Sequence, residues 1–441
     1  MKKVLFIAYY WPPAGGPGSQ RMLKFAKYLP EFGWQPVILT VSNGEFPYRD
    51  PSLVEELPSD LPVFRSRSRE PFSFYKKITG KPTDATLPVG LLTGEKKSLP
   101  EKIAGWVRAN LFVPDARIGW VPSAARLAEK ILRQEDIAAI FSSSPPHSLQ
   151  LIGDRLRRKF SLPWVADLRD PWTDIRYYQF VRRTRRAARK DAEMETRVLN
   201  NADHITTVSA ALAESFREKI LAKDTAERVT VLPNGYDELD FPDQSCPRLP
   251  DFCLLHPGNL LAHQNPEPLW PALARLAERF SDLEEHLRVR FVGRVHPSVI
   301  ENARKNGLNQ FIEQRDFVPH REILQEFRQA AVLFLVVPKV ENNRGIITSK
   351  IFEYIGSGRP ILAVGPPNGD AGAILKPLSN CRYVEYQDVE KCEQFLADRY
   401  EEWKSSGAVS LSPLELRQPY SRRNLSAQLS EILKRAAHKN G

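Results

Sequence analysis

The sequence predicts an α/β protein built from two successive doubly wound halves. Three observations carry that expectation. Short apolar runs alternate with helix-length amphipathic segments, the pattern of a mostly parallel sheet with helices on both faces. The alternation stops at ELDFPDQSCPRLPDF, residues 238–252, a proline-rich stretch with little periodicity, and then restarts. A chain of 441 residues also suits two or three domains better than one.

In the first half, KVLFIAY (3–9), PVILTV (36–41), AAIFSS (138–143), PWVADL (163–168), HITTVS (204–209) and VTVLP (229–233) read as strands. Residues 19–32, 121–134, 147–159, 180–200 and 209–219 have helical spacing. Residues 44–120 fit this scheme badly. They are rich in Pro, Gly, Ser and Lys and read as an insertion, helical around 100–111. In the second half, CLLHPG, VRFVG, AVLFLVV, PILAV and RYVEY are the expected strands. RRNLSAQLSEILKRAAH carries an apolar stripe at Leu425, Leu429, Ile432 and Leu433 and reads as a terminal helix. The expected domains are 1–240 (with the insertion at 44–120) and 241–418, followed by the helix within 419–441. Residues 238–252 would be the linker.

Composition narrows the function classes. No run approaches the roughly 18 apolar residues needed to span a bilayer. MKKVLFIAYYWPP superficially matches a signal peptide, but its apolar core is short and no small-residue cleavage site follows, so it reads as the first strand. The four cysteines, Cys246, Cys253, Cys381 and Cys392, match neither a zinc pattern nor a disulfide framework, which suits a reducing cytoplasm. The net charge is +10. It is concentrated in IRYYQFVRRTRRAARK, residues 175–190, which holds Arg176, Arg182, Arg183, Arg185, Arg186, Arg189 and Lys190 and no acid. Residues 60–110 also carry twice as many basic as acidic residues, near Phe72, Phe74, Tyr75, Leu91, Leu92 and Trp106. Nucleic acid would suit the charge alone, but no aromatic-interleaved or recognition motif accompanies it. An anionic membrane surface, met through 72–112 and 176–190, fits better.

Two Gly-rich stretches carry the chemistry. In YYWPPAGGPGSQR, residues 9–21, a Pro/Gly loop joins the first strand to the first helix. A dinucleotide fingerprint would need a third glycine where Arg21 stands and an acid ending the second strand, and both are missing. What remains is a loop whose amides and helix N-terminus meet a ligand bearing phosphate or hydroxyls. In ITSKIFEYIGSGRPILAV, residues 346–364, a helix opens near Thr348 or Ser349 and ends at Gly356 and Gly358. Its start suits a diphosphate, Lys350 adds a point charge, and Glu353 one turn on can accept two hydrogen bonds from a diol. A capped surface helix with a solvated Glu353 is the alternative. Asn234-Gly235 is a turn signal, since both tolerate positive φ. His147 is read as a helix cap or a ligand contact, and Trp164 and Trp172 as packing.

The pattern S-K-x-F-E-Y-x-x-x-G-R-P-I-L resembles the donor-nucleotide motif of retaining glycosyltransferases of family 4, which have the GT-B fold. In the order of that family also stand the first strand with its loop, ADHITTVSAALAESF, VTVLPNGYDELDF, HPGNLLAHQNPEPLWPAL and VRFVGRV. FSSSPPHS followed by PWVADLRDPW resembles one subgroup. The resemblance implies two Rossmann-like domains facing across a cleft, the first binding the acceptor and the second a nucleotide sugar. The terminal helix would return to the first domain. Family members use no metal and no cofactor beyond the donor, and they retain the anomeric configuration. By this resemblance Glu353 grips the ribose, and Thr348, Ser349 and Lys350 lie near the nucleotide or diphosphate. Gly16, Gly258 and Arg294 also fall on the donor side, and Gly15, Arg21 and His147 on the acceptor side.

The chain departs from the family in three places. The first Glu of an E-x7-E motif would fall at Gly345. No Arg or Lys follows Gly258 within NLLAHQN. Arg169, beside Asp167 and Asp170, stands where a His often ends a strand, so Arg169 and Asp170 are the candidates for the catalytic position. No general base is needed if the leaving diphosphate accepts the proton. The expected function is transfer of a sugar from a nucleotide donor to a glycan or lipid-linked acceptor, in cell-surface polysaccharide or glycolipid synthesis. The place would be the cytoplasm or the inner face of the cell membrane. A catalytically silent binding or scaffold subunit is the rival, motivated by Gly345 and the loop after Gly258.

Overall fold

The structure, a computed structural model, describes residues 1–69, 99–175, 178, 182–221, 226–242 and 247–438. The chain divides into two compact units, Met1–Pro233 with Leu425–Gly441, and Asn234–Asn424.

The first unit is a seven-stranded parallel sheet in the order β3-β2-β1-β4-β5-β6-β7. The strands are β1 (Lys2–Ala8), β2 (Trp34–Val41), β3 (Val63–Ser66), β4 (Ile137–Ser144), β5 (Trp164–Leu168), β6 (His204–Thr207) and β7 (Val229–Val231). The helices are α1 (Pro17–Tyr28), α2 (Ser52–Glu55), α3 (Leu99–Leu111), α4 (Val121–Gln134), α5 (Gln150–Phe160), α6 (Arg185–Asn201) and α7 (Ala210–Lys219). The sheet is buried on both faces, so its central strands are near-continuous apolar runs. β1 shows the alternation. Leu5 and Ile7 enter a core shared with α4 and α5, whereas Val4, Phe6 and Ala8 enter the opposite core with Met22 and Phe25 of α1. That second core is completed by the last helix of the chain, Arg422–His438, through Leu425, Leu429, Ile432, Leu433 and Ala436. The short edge strand β3, VFRS, was not anticipated; it lies in the segment read as an insertion and keeps Arg65 exposed.

The second unit is a six-stranded parallel sheet in the order β10-β9-β8-β11-β12-β13. Its strands are β8 (Phe252–Pro257), β9 (Leu287–Val292), β10 (Ile312–Arg315), β11 (Val332–Val336), β12 (Ile361–Gly365) and β13 (Arg382–Glu385). Its helices are α8 (Leu269–Arg279), α9 (Leu283–His286), α10 (Pro297–Lys305), α11 (His320–Gln329), α12 (Lys350–Ser357), α13 (Asp370–Leu375), α14 (Val389–Ser406) and α15 (Leu414–Arg417). The terminal Arg422–His438 helix is α16. Residues 238–252 contribute Leu249 and Phe252 to the core of this unit. Asn234 and Gly235 do not take the left-handed turn their sequence suggested, since neither has positive φ; Tyr236 instead pairs with Ser421. Cys253, Cys381 and Cys392 are free, and Cys246 lies outside the described residues. Among the described residues, no helix is long and apolar enough to cross a membrane.

In both sheets the chain starts at a central strand, runs to one edge and then returns to fill the other side. The strand order therefore reverses between β1 and β4, and again between β8 and β11. The loops at the carboxyl ends of such strand pairs are where open α/β sheets bind ligands.

Candidate active-site residues

In the first unit, the loop after β1 leads into α1 through Gly16, whose φ of +92° favours glycine. Among the described residues, nothing lies within 4 Å of the position a Gly16 side chain would take. Gly15 differs, because the space it leaves is filled by the Tyr48 ring. Gly18 makes room for Arg169: a Cβ there would stand 2.7 Å from both terminal nitrogens of the guanidinium. Arg169, at the end of β5, is only 11 % exposed, and its Nε donates to Ser143 Oγ (3.2 Å). A cation is thus held against the first turn of α1, the positive end of the helix dipole. Burial lowers the Arg169 pKa and Arg21 adds to the effect, while Asp167 and Asp170 oppose it. Asp170 follows in the same loop and is exposed.

Arg21 is wholly buried. Its guanidinium grips Asp167 twice (3.1 and 2.9 Å) and donates to the carbonyls of Leu232 (2.9 Å) and Pro233 (2.7 Å). Asp167 also accepts from Ser143 (2.6 Å) and Thr206 (2.8 Å). Arg21 therefore ties α1 to β5 and the end of β7 instead of facing a ligand, a correction to the acceptor contact expected of it.

His147 is buried between the loops after β4 and β5. Its Nε2 meets the Pro171 carbonyl (3.2 Å), its Nδ1 meets Ser144 Oγ (3.2 Å), and its ring stacks on Trp172 at 4.9 Å. The carbonyl requires a proton on Nε2, which leaves Nδ1 as acceptor. Burial, assisted by Arg169 and opposed by Pro171, pulls its pKa down to about 4. Trp164 and Trp172 are fully buried, as packing residues are.

In the second unit, α12 opens at Ser349, which makes no side-chain cap, and ends at Gly358 with φ +73°. Thr348 Oγ1 is buried with no partner among the described residues. Glu353 lies in the first turn of α12, and one carboxylate oxygen stands 3.4 Å from His320 Nε2. Lys350 reaches back to the end of β8. Its ammonium lies where a side chain on Gly258 (φ +86°) would be, 2.8 Å from that Cβ position. It is 3.3 Å from Nε2 of His256, a buried histidine inside β8. Burial pulls the Lys350 pKa down to about 8, with Glu353 opposing. Gly293, with φ +128°, lets the end of β9 close against Gly258. Arg294 follows it, exposed, with its carbonyl accepting from Leu260 (2.9 Å). Gly345 sits in a loop pinned by Asn343, which donates to Pro338 (2.8 Å) and Tyr386 (2.9 Å). His256 escaped the sequence reading, although an ionisable residue in the apolar run CLLHPG, two places before Gly258, was a usable signal.

The basic segment is partly structural. Arg183 pairs with Asp191 (2.9 Å) and lies over the Tyr178 ring at 3.8 Å. Arg182, Arg185, Arg186, Arg189 and Lys190 are exposed at the start of α6. Asn110 of α3 joins this start, donating to Arg182 O (3.0 Å) and accepting from Thr184 N (2.6 Å). Trp106 and Leu111 of α3 are exposed. Arg176, Phe72, Phe74, Tyr75, Leu91 and Leu92 lie outside the described residues.

The family model described as "Glycosyl transferase 4-like domain" matches residues 15–235. No curated protein matches the chain in sequence. Solved structures do match it in fold. A glycosyltransferase from Rickettsia africae is 15% identical, with a TM-score of 0.56, covering 99% of this chain and 98% of its own. WaaG, a glycosyltransferase involved in lipopolysaccharide biosynthesis, is 12% identical, with a TM-score of 0.52 and coverage of 98% and 99%. The E. coli trehalose-6-phosphate protein bound with UDP-2-fluoro glucose is 12% identical, with a TM-score of 0.58 and the same coverage.

Proposed function

Because the chain belongs to the glycosyl transferase 4-like family and is a GT-B-type glycosyltransferase, we propose that its donor is a nucleotide sugar held by the second unit. The observation that carries this reading is the start of α12. There a helix N-terminus without a side-chain cap, the Thr348 hydroxyl, which has no partner among the described residues, and the Lys350 ammonium converge, with Glu353 in the same turn. The dipole end and the ammonium suit a diphosphate. The carboxylate suits the two hydroxyls of a ribose. Gly258 makes room for the Lys350 ammonium, and Arg294, exposed, adds charge from the loop after β9.

The first unit receives the acceptor, a glycan or a lipid-linked glycan, and Arg169, with Asp170 beside it, stands at the catalytic position. Transfer proceeds with retention and without a metal ion or further cofactor. The leaving diphosphate takes the acceptor proton, and the protein supplies positioning and charge stabilisation. The product belongs to cell-surface polysaccharide or glycolipid synthesis at the cytoplasmic side of the membrane.

Isothermal titration with UDP and GDP tests the donor site. Glu353→Ala should weaken binding at least tenfold, since hydrogen bonds to a charged group contribute about 1.5–3 kcal/mol. Unchanged affinity in a folded variant would remove the basis of this reading.

The start of α6 supports a membrane-facing role. Its first turn holds no acid, and its exposed cations oppose the helix dipole, an arrangement that costs stability unless an anionic surface compensates. The protein should float with vesicles containing anionic lipid and stay behind with neutral ones. Equal behaviour at physiological salt rejects the membrane assignment alone.

A further inference from the structure

We infer that His256 is a positioning residue for the donor diphosphate: its imidazole and the missing side chain of Gly258 form a seat, cut into the end of β8, that holds the Lys350 ammonium at the first turn of α12. The inference rests on the donor-site reading above.

The geometry argues for a seat. His256 Nδ1 stands 2.9 Å from the Phe334 carbonyl of the neighbouring strand β11. A carbonyl only accepts, so Nδ1 carries the proton and Nε2 presents a lone pair. That lone pair faces Lys350 Nζ at 3.3 Å, so the lysine donates and the histidine accepts. Burial pulls the His256 pKa down to about 3; Lys350 assists, and the Phe334 carbonyl and the Asn259 backbone oppose. The imidazole is therefore neutral at any physiological pH, as an acceptor must be. Two residues along, Gly258 leaves the volume that Cε and Nζ of Lys350 occupy. A lysine has four rotatable bonds and would otherwise wander. Here it is gripped at its tip by a strand of the central sheet.

The sequence supplies a reason. The loop after Gly258, NLLAHQN, carries no Arg or Lys. The cation for the phosphates then comes from α12, and β8 contributes the cradle in place of the charge. The titratable groups around Lys350 are His256 from β8 and Glu353 from its own helix; His320 of α11 is the neighbour of Glu353.

The test uses the full chain titrated with UDP and with GDP. His256→Asn keeps a donor for Phe334 and removes the acceptor facing Lys350, whereas His256→Gln can return an acceptor near the Nε2 position. We expect His256→Asn to bind diphosphate about tenfold more weakly and His256→Gln to stay within about threefold of wild type. In 13C-lysine-labelled protein, the Lys350 titration midpoint should fall below about 8 in His256→Asn and be restored in His256→Gln, because the lost acceptor favoured the charged amine. Gly258→Ala, whose Cβ would press on Lys350, should also weaken diphosphate binding tenfold, and it decides the matter if His256→Asn does not fold. Wild-type affinity in His256→Asn or Gly258→Ala, with Lys350→Met at least tenfold weaker, overturns the seat and leaves the donor site standing. Wild-type affinity in Lys350→Met, or no binding of either nucleotide to the wild-type chain, overturns both.

Discussion

At the scale of residues, the first unit uses its charges in two different ways. Arg21 and Asp167 are both fully buried and satisfied by each other, by two carbonyls and by two hydroxyls. Such a pair fixes geometry more than it adds stability. Arg169 takes no such set of partners and is kept poised over Gly18. His147 makes a separate, measurable contribution. Its pKa is about 4 in the fold against an ordinary 6.5, so the folded state binds fewer protons between those values. Its stabilising share is complete above pH 6.5 and is lost as pH falls towards 4. At about 1.4 kcal/mol per unit, that amounts to about 3 kcal/mol. Urea titrations at pH 6.5 and 4 should show a drop in stability that is smaller by about this amount in His147→Gln; equal drops would mean that the ring is not held neutral. None of these roles was legible in the sequence. The separation of Arg21 from Asp167 is 146 residues, and the approach of Arg169 to Gly18 depends on the register of β1, β4 and β5. An arginine in the Pro/Gly stretch after β1 therefore looked like an acceptor contact.

At the scale of elements, legibility follows burial. The central strands are apolar on both faces and announce themselves, as KVLFIA and AVLFLVV do. Two of the four edge strands, β3 and β10, are four residues each and at least half polar, VFRS and IEQR, and went unread, whereas the edge strands β7 and β13 were read. Helix ends were clearer where a cap is chemical. Gly358 closes α12 as read, whereas the helix read from residue 180 begins at Arg185, behind a Thr184 cap that accepts from the Ala187 amide (3.2 Å) and was not anticipated. The α6 cap matters more than most, because the following turn is loaded with cations that the helix dipole disfavours. Thr184→Ala should cost about 1 kcal/mol in urea unfolding. No change would show that Asn110, which binds the Thr184 backbone, already fixes the start of the helix. The start of α12 was legible, because Thr348, Ser349, Lys350 and Glu353 lie within six residues and one helix start gathers them. His256 joins them only through the pairing of β8 with β11.

At the scale of the whole molecule, the two units are not two halves of the sequence. The chain leaves the first unit after Pro233, builds the second, and comes back at Leu425. The apolar face of α16 lies against Val4, Phe6, Met22 and Phe25, so the first and last elements share one core. A fragment of residues 1–233 should therefore be unstable and bind hydrophobic dye. Adding a peptide of residues 422–438 should restore a cooperative melt; a fragment that melts like the first unit of the intact chain would make α16 dispensable. The same feature sets a constraint in time. During synthesis the first unit emerges early, yet the helix that covers one side of its sheet is made only after the second unit. For nearly two hundred residues of translation that apolar surface has to wait. The first unit thus closes its core only after the second has been made, which two domains strung one after the other would not require.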